Sequence, residues 1–173
     1  MNYTIRLARA EELGFLREVE FASGALFAEI GLYNVAKSDS LPLTVLQAQQ
    51  HAGMVWVAAD SSDCAVGFAA ASEKDGTIYL EQISVHPAHG RRGIGKLLIE
   101  TLCEWTAEKG MAAVTLSTFV DVAWNAPFYS RIGFRALGEE ELSPSLKKSL
   151  DEESRAWFPL KRVVMRRELI AKK

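Results

Sequence analysis

The residues with the clearest chemical use form a glycine-rich, doubly cationic loop between a strand pattern and a helix pattern. Residues 83–98 read ISVHPAHGRRGIGKLL, in which Pro87 ends the β-type run and Arg91 and Arg92 lie among glycines. Glycines let a backbone approach a ligand closely, and the first N–H groups of a helix have no intrahelical partner. The helix dipole and the two arginines add positive charge, so the loop predicts a phosphate or pyrophosphate ligand.

Two common phosphate-binding loops fit this stretch incompletely. A P-loop agrees from Gly90 to Lys96, but Leu97 occupies the place of the hydroxyl that binds magnesium. A dinucleotide fingerprint begins at Gly93, but Leu98 replaces its third glycine, and the preceding strands do not alternate with helices. The sequence therefore predicts neither a P-loop nucleotide hydrolase nor a Rossmann unit.

A third type of loop agrees better. The stretch resembles the acyl-CoA loop of the GNAT superfamily of N-acyltransferases, V-x-P-x-x-[QR]-x-x-G-x-[GA]. The matching residues are Val85, Pro87, Gly93, Ile94 and Gly95. The [QR] position is Gly90, so Arg91 or Arg92 would have to supply the missing side-chain contact, unless the backbone alone suffices.

A second block carries the same resemblance. Residues 124–134 read WNAPFYSRIGF, which is similar to a shortened form of the family's N-x-x-[AF]-x-x-[FY]-Y-x-[KR]-x-G-F. The matching residues are Asn125, Phe128, Tyr129, Arg131, Gly133 and Phe134. The two blocks stand in the family's order and spacing. The resemblance is close over residues 3–138 and extends less closely to the C-terminal strand.

Periodicity predicts the elements that must position these blocks. Strand patterns occupy residues 3–7, 54–59, 65–72, 77–85, 113–116, 134–137 and 162–168, and helix patterns occupy 10–27, 44–51 and 94–109. Asp75-Gly76 predicts a hairpin turn, Thr44 a helix cap, and Pro127 and Gly133 the two ends of a short helix. Residues 31–42 are predicted to form a loop, and residues 139–155 either a helix or a mobile segment.

The resemblance implies the fold. We expect an α+β architecture, a single GNAT-type domain over residues 1–173. Its mixed, mostly antiparallel twisted sheet would hold two splayed parallel strands and carry flanking helices. A chain of 173 residues is long enough for one such core.

Composition excludes several other classes of protein. The net charge of −2 and the pI near 6.0 argue against a nucleic-acid partner. Charged residues interrupt the first twenty positions and no apolar run approaches the roughly 20 residues of a membrane span, so neither a signal peptide nor a membrane partner is predicted. Cys64 and Cys103 lack a C-x-x-C spacing and the three histidines lack metal-ligand spacing, so a reducing cytoplasm and no metal are expected.

The resemblance also assigns site residues. Acetyl-CoA would be the acyl donor, with its pantetheine arm pairing along the backbone of Ile83 and Val85 as an added strand. The expected cofactor-binding residues are Ile83, Ser84, Val85, Gly90, Arg91, Arg92, Gly93, Ile94, Gly95, Lys96, Asn125 and Phe128. The expected catalytic residues are Tyr129 and Glu81.

Each role has a plainer alternative. Tyr129 matches the acid that protonates the leaving sulfur, and the alternative is a core tyrosine whose hydroxyl is satisfied. Asn125 matches a ligand of the cofactor arm, or caps the next helix. Glu81 is a base or substrate anchor, or the structural partner of an arginine, and a water chain is a further proton path. Glu20, Glu29 and Asp121 are weaker acidic residues for gripping an amine.

The predicted function is N-acetyl transfer from acetyl-CoA to an amine, by direct attack in a ternary complex. A small-molecule amine is the expected acceptor, a protein or peptide amine is the second choice, and a homodimer is left open. The alternative function is a non-catalytic CoA-binding sensor or interaction module. The regions that would select the acceptor, about residues 20–46 and beyond 138, carry no motif.

Overall fold

The structure is a computed structural model that describes residues 2–169. Within these residues the apolar runs and turn signals of the chain correspond to seven strands and seven α-helices. The strands are β1 (Thr4–Leu7), β2 (Val55–Ala59), β3 (Ala65–Lys74), β4 (Thr77–Val85), β5 (Ala113–Phe119), β6 (Arg135–Ala136) and β7 (Arg162–Glu168). The helices are α1 (Leu13–Ser23), α2 (Ala25–Glu29), α3 (Tyr33–Ala36), α4 (Leu43–His51), α5 (Ile94–Glu108), α6 (Ala126–Arg131) and α7 (Pro144–Ala156).

The strands form one mixed sheet in the order β1-β2-β3-β4-β5-β7-β6. Pairing is mostly antiparallel, and the parallel register joins Ile78–Leu80 of β4 to Val114–Leu116 of β5. The predicted α+β class with a parallel pair in a mostly antiparallel sheet is thereby confirmed. The splaying of that pair stays a prediction.

Contacts along the chain group into two compact units. The N-terminal unit contains the residues up to Ser72 together with Glu81–Leu102. The C-terminal unit contains Glu73–Leu80 together with the residues from Cys103 onward.

The core of the N-terminal unit forms where a fully buried strand meets an amphipathic helix. All five residues of β2 are buried, as its unbroken apolar sequence VWVAA predicts. Leu13, Leu16 and Val19 recur at helical spacing on α1 and are at most 2% exposed, and they pack in the same cluster as Phe68 of β3.

In the C-terminal unit, the sequence predicted either a helix or a mobile segment for residues 139–155. The structure has the helix α7 there, packed against the sheet. Ser143 caps α7 by accepting a hydrogen bond from the Leu146 N–H, and Leu146 packs with Tyr79 and Val164. Ser143 and Ser145 both donate to the carboxylate of Asp75 at the β3–β4 turn. These contacts fix the helix at its first turn.

The turns and helix ends predicted from the sequence were partly correct. The hairpin is confirmed, since Asp75 and Gly76 both have the positive φ of its tight turn (51° and 73°). The Thr44 cap is wrong, because α4 already begins at Leu43, after Pro42, which needs no N–H at that place. Residues 31–42 also contain the short helix α3, which buries Val35.

Candidate active site

The glycine-rich loop leads directly into the first turn of α5. A short 3-10 helix (Pro87–His89) follows β4, and the Gly90 N–H donates to the Pro87 carbonyl at 3.0 Å. The first helical bond of α5 runs from the Leu97 N–H to the Gly93 carbonyl (3.0 Å). The N–H groups of residues 94–96 precede that bond, so they have no acceptor inside the helix and are available to an anion.

Two residues of the loop take a left-handed backbone conformation. Gly93 has φ 78°, which glycine adopts without cost. Arg91 has φ 59°, which a residue with a Cβ adopts only at a cost of about 1–2 kcal/mol. Such strain persists where the surrounding structure requires it, and it often marks functional sites.

The side chains after the loop divide between core and solvent. Ile94 is 2% exposed, so what it offers a ligand is its backbone N–H. Lys96 is exposed and Gly95 is half-buried. Leu98 and Leu102 lie on the buried face with Ile94, which anchors the helix beneath the loop.

The β4 segment before the loop offers backbone more than side chain. Ser84 is 4% exposed, and its hydroxyl oxygen accepts from Gln82 Nε2 (2.9 Å) and from the Ser23 hydroxyl (3.2 Å). Both lone pairs of its oxygen are therefore used within the protein, and the side chain is nearly closed to solvent. Ile83 and Val85 are half-buried, and any contribution of the three residues to an extended ligand falls to their backbone and apolar groups.

Gly67 of β3 supports this segment, and its sequence context was not interpreted as functional above. A Cβ on Gly67 of β3 would lie 2.9 Å from the Ser84 carbonyl oxygen and 3.2 Å from Val85 Cγ2. Only glycine lets β3 approach β4 this closely. An isolated glycine inside a strand pattern is the signal that could have revealed it.

Glu81 begins the part of β4 that belongs to the N-terminal unit, and it is half-buried. Its Oε1 accepts a hydrogen bond of 2.6 Å from the Ser72 hydroxyl. The alternative of an arginine partner does not occur within residues 2–169, where the carboxylate pairs with a neutral hydroxyl from the neighbouring strand β3. The role of base or substrate anchor stays a prediction. A carboxylate that accepts one hydrogen bond and has no cationic partner keeps lone pairs for a proton.

Glu20 has a structural role. Both of its carboxylate oxygens accept from the Leu41 N–H, at 3.1 and 3.0 Å, and burial raises the pKa of the carboxyl. The side chain thus holds the segment before α4 against α1. Glu29 and Asp121 are exposed.

In the C-terminal unit, Asn125 stands directly before α6. Its carbonyl accepts from the Tyr129 N–H, so it occupies the N-cap position. Its side chain does not cap the helix, because Oδ1 accepts from the Thr118 hydroxyl of β5 at 2.6 Å. This bond orients the side chain with Nδ2 left as a donor.

Tyr129 lies on α6 and is 7% exposed. Its ring makes edge contacts with Phe128 and Phe134, at centroid distances of 5.3 and 5.6 Å. Burial raises the pKa of the phenol, and the charge of Arg162 opposes that shift. Within residues 2–169 its hydroxyl forms no hydrogen bond with another protein group, and its role as the acid stays a prediction.

The structure thus gathers the predicted residues in two places. Glu81, residues 83–85 and the loop 90–96 lie in the N-terminal unit, and Asn125, Phe128 and Tyr129 lie in the C-terminal unit. Among the described residues, no three His, Cys, Asp or Glu side chains are grouped so as to hold a metal ion. Across the same residues, no helix is long and apolar enough to cross a membrane.

Comparison with known proteins connects these features to one family. Residues 7–134 match the family model described as the acetyltransferase (GNAT) family. The mouse N-acetyltransferase family 8 member 3 is 30% identical over 112 residues, which cover 61% of this chain and 49% of that protein. The chain therefore spans about half the length of this curated relative.

Solved structures share the fold at low sequence identity. A GNAT-family acetyltransferase from Staphylococcus aureus superposes with a TM-score of 0.71 at 19% identity, covering 98% of this chain and 100% of that one. An N-acetyltransferase from Thermoplasma acidophilum, solved with coenzyme A, gives 0.67 at 18% identity, with 97% and 99% covered.

Proposed function

The chain belongs to the acetyltransferase (GNAT) family, and from that premise we propose that it is a single N-acetyltransferase domain. It transfers the acetyl group of acetyl-CoA to an amine by direct attack in a ternary complex. The observation that carries the proposal is the family match over residues 7–134, which includes both the phosphate loop and the Tyr129 block.

Several features support acetyl-CoA as the donor. The free N–H groups at residues 94–96 and the cationic Arg91 and Arg92 suit its phosphates. The extended backbone of Ile83–Val85 suits its pantetheine arm, and the Asn125 side-chain amide suits an amide carbonyl of that arm. A member of the same fold was solved with coenzyme A.

The reaction needs two proton transfers of unequal difficulty. An amine of pKa about 10.4 is roughly 3.4 pH units from neutrality at pH 7, so presenting it uncharged costs about 4.6 kcal/mol. A departing thiol of pKa about 8.5 is only about 1.5 units away, or about 2 kcal/mol. Removal of the amine proton is therefore the harder step, and we assign it to Glu81, directly or through a water. Protonation of the sulfur is assigned to Tyr129.

Glu81→Gln is expected to lower kcat about 5- to 10-fold at pH 7, with acetyl-CoA affinity unchanged, because the amide cannot take the amine proton. The deficit should shrink as pH rises toward the amine pKa, since the amine then loses its proton unaided. Initial rates from pH 6.5 to 9.5 check this. Glu73→Gln, on an exposed glutamate of β3, is the control, and a deficit independent of pH would remove Glu81 from the role of base.

Arg91→Gly is expected to weaken acetyl-CoA binding about 3- to 10-fold without lowering the free energy of unfolding. The guanidinium contact with a phosphate is lost, while the left-handed backbone at φ 59° becomes cost-free. Calorimetric titration and urea unfolding measure the two quantities. A variant that binds normally would show that the strained arginine does not contact the cofactor.

The proposal is tested by two measurements on the purified chain. Acetyl-CoA should raise the melting temperature, where ATP and NAD should not; at 100 times the dissociation constant the stabilisation is about 2.7 kcal/mol. The protein is then incubated with acetyl-CoA and a panel of small amines and of peptides with a free amino terminus. At least one of these acceptors should cause release of free thiol from acetyl-CoA. A small-molecule amine is the proposed acceptor. Binding with no turnover on any amine would favour a CoA-binding module, and absence of binding would overturn the proposal.

A further inference from the structure

We propose that Tyr3, which directly precedes β1, is a positioning residue. It holds Arg92 in place for the cofactor's phosphates. The Tyr3 hydroxyl lies 3.0 Å from Arg92 Nη1 and 3.0 Å from His89 Nδ1. Arg92 Nη2 also donates to the Ala88 carbonyl at 3.3 Å. This inference rests on the proposed use of acetyl-CoA.

The direction of each hydrogen bond follows from the donors present. A guanidinium can only donate, so the Tyr3 oxygen accepts from Arg92. The Tyr3 proton can then be donated to His89 Nδ1, in the tautomer whose imidazole carries its own proton on Nε2. The Tyr3 hydroxyl thus links Arg92 to His89 as acceptor from the first and donor to the second.

The network fixes a side chain that would otherwise be mobile. Arg92 is exposed, and ordering a long exposed side chain costs rotamer entropy when a ligand binds. Tyr3 is half-buried just before β1, and its ring meets the His89 ring edge-on at 5.8 Å. The Tyr3 hydroxyl, held next to β1, therefore orders the guanidinium before the cofactor arrives, and preorganisation of this kind improves affinity.

Tyr3 and Ala88 offer Arg92 neutral oxygens, a phenol and a backbone carbonyl, so neither contact neutralises the guanidinium charge. A guanidinium has five N–H donors, and holding Tyr3 uses one of them. Tyr3 would act only through Arg92, which makes its role separable by experiment.

The test compares two acyl donors across four proteins. Wild type, Tyr3→Phe, Arg92→Ala and the double variant are assayed with acetyl-CoA and with S-acetylpantetheine, which has the thioester arm but no phosphate. Tyr3→Phe should raise the KM and Kd for acetyl-CoA about 3- to 10-fold with kcat unchanged, and Arg92→Ala should raise them at least as much. The double variant should be no worse than Arg92→Ala alone, and S-acetylpantetheine should not distinguish the four proteins.

Controls keep the result interpretable. Tyr33→Phe removes a hydroxyl from an exposed tyrosine of α3 and should change nothing. His89→Asn, which keeps an acceptor near Nδ1, should retain more affinity than His89→Leu. Equal losses with both donors, or additive losses in the double variant, would overturn the positioning role. Wild type that fails to bind acetyl-CoA would overturn the proposed function with it, whereas wild-type binding with a neutral Tyr3→Phe would overturn this inference alone.

Discussion

Replacing Gly93 by valine is expected to abolish acetyl-CoA binding, with a Kd at least about 100-fold higher. Gly93 has φ 78°, and a Cβ built there meets no atom within 4 Å, so the new side chain projects into open space beside the first N–H groups of α5. A bulky group there excludes a phosphate from those donors. Losing two hydrogen bonds to a charged group, each about 1.5–3 kcal/mol, gives roughly 10²–10⁴-fold in Kd.

The matched control lies at the other end of the same helix. Gly110 follows α5 with φ 73°, and a Cβ there also meets nothing within 4 Å. Gly93→Val and Gly110→Val should lose similar stability, because both force a β-branched residue into the left-handed region. Only Gly93→Val should lose the acetyl-CoA-dependent rise in melting temperature. Binding that survives in Gly93→Val would contradict the assignment of the loop.

Features encoded by neighbouring residues could be predicted from the sequence. The hairpin at Asp75-Gly76 depends on two adjacent positions, and the short helix between Pro127 and Gly133 depends on its own ends; both are present. The loop before α5 is likewise a local pattern of glycine and arginine. Such signals work because backbone preference and helix-end chemistry act within a few residues.

Pairs of side chains on different elements could not be predicted. Glu81 pairs with Ser72 and Asn125 with Thr118 because strand register and the entry to α6 bring them together. The Tyr3 contact joins residues 86 positions apart, from Tyr3 to His89. A turn signal suggests how two adjacent strands pair, but the sequence does not say which side chains meet across them or across elements joined by longer connections.

The same limit explains residues 139–158. Their polar sequence allows either a helix or a mobile segment, and the choice is made by tertiary contacts: Leu146 against Tyr79, and Glu153 against Arg162 at 2.8 Å. Both partners lie outside α7, on strands β4 and β7. A polar helix is stable here because packing on one face supplies what intrinsic propensity does not.

Tyr129→Phe is expected to lower kcat by roughly 10–100-fold while acetyl-CoA affinity stays almost unchanged. The ring keeps its edge contacts with Phe128 and Phe134, so the fold should be preserved. A thiol of pKa about 8.5 that leaves unprotonated at pH 7 is disfavoured by about 1.5 pH units, or about 30-fold, which sets the scale of the loss. A loss confined to kcat marks an interaction made only in the transition state.

The pH dependence of that loss follows from burial. A general acid works in its protonated form, and burial raises the pKa of Tyr129 above its ordinary value near 10. The phenol therefore keeps its proton as pH rises, and no alkaline fall in wild-type kcat should come from Tyr129 below about pH 10. The ratio of wild-type to Tyr129→Phe rates should accordingly narrow only as pH passes the thiol pKa, where the sulfur departs unprotonated without penalty.

Measuring kcat and acetyl-CoA affinity from pH 6.5 to 9.5 decides the role. Tyr79→Phe removes the hydroxyl of another buried tyrosine and should leave turnover unchanged. If Tyr129→Phe turns over at the wild-type rate, water protonates the sulfur and Tyr129 only fills the core. If its deficit is as large at pH 9.5 as at pH 6.5, the hydroxyl positions a group instead of donating a proton, because a donor's advantage must fade once the leaving thiolate is stable in water.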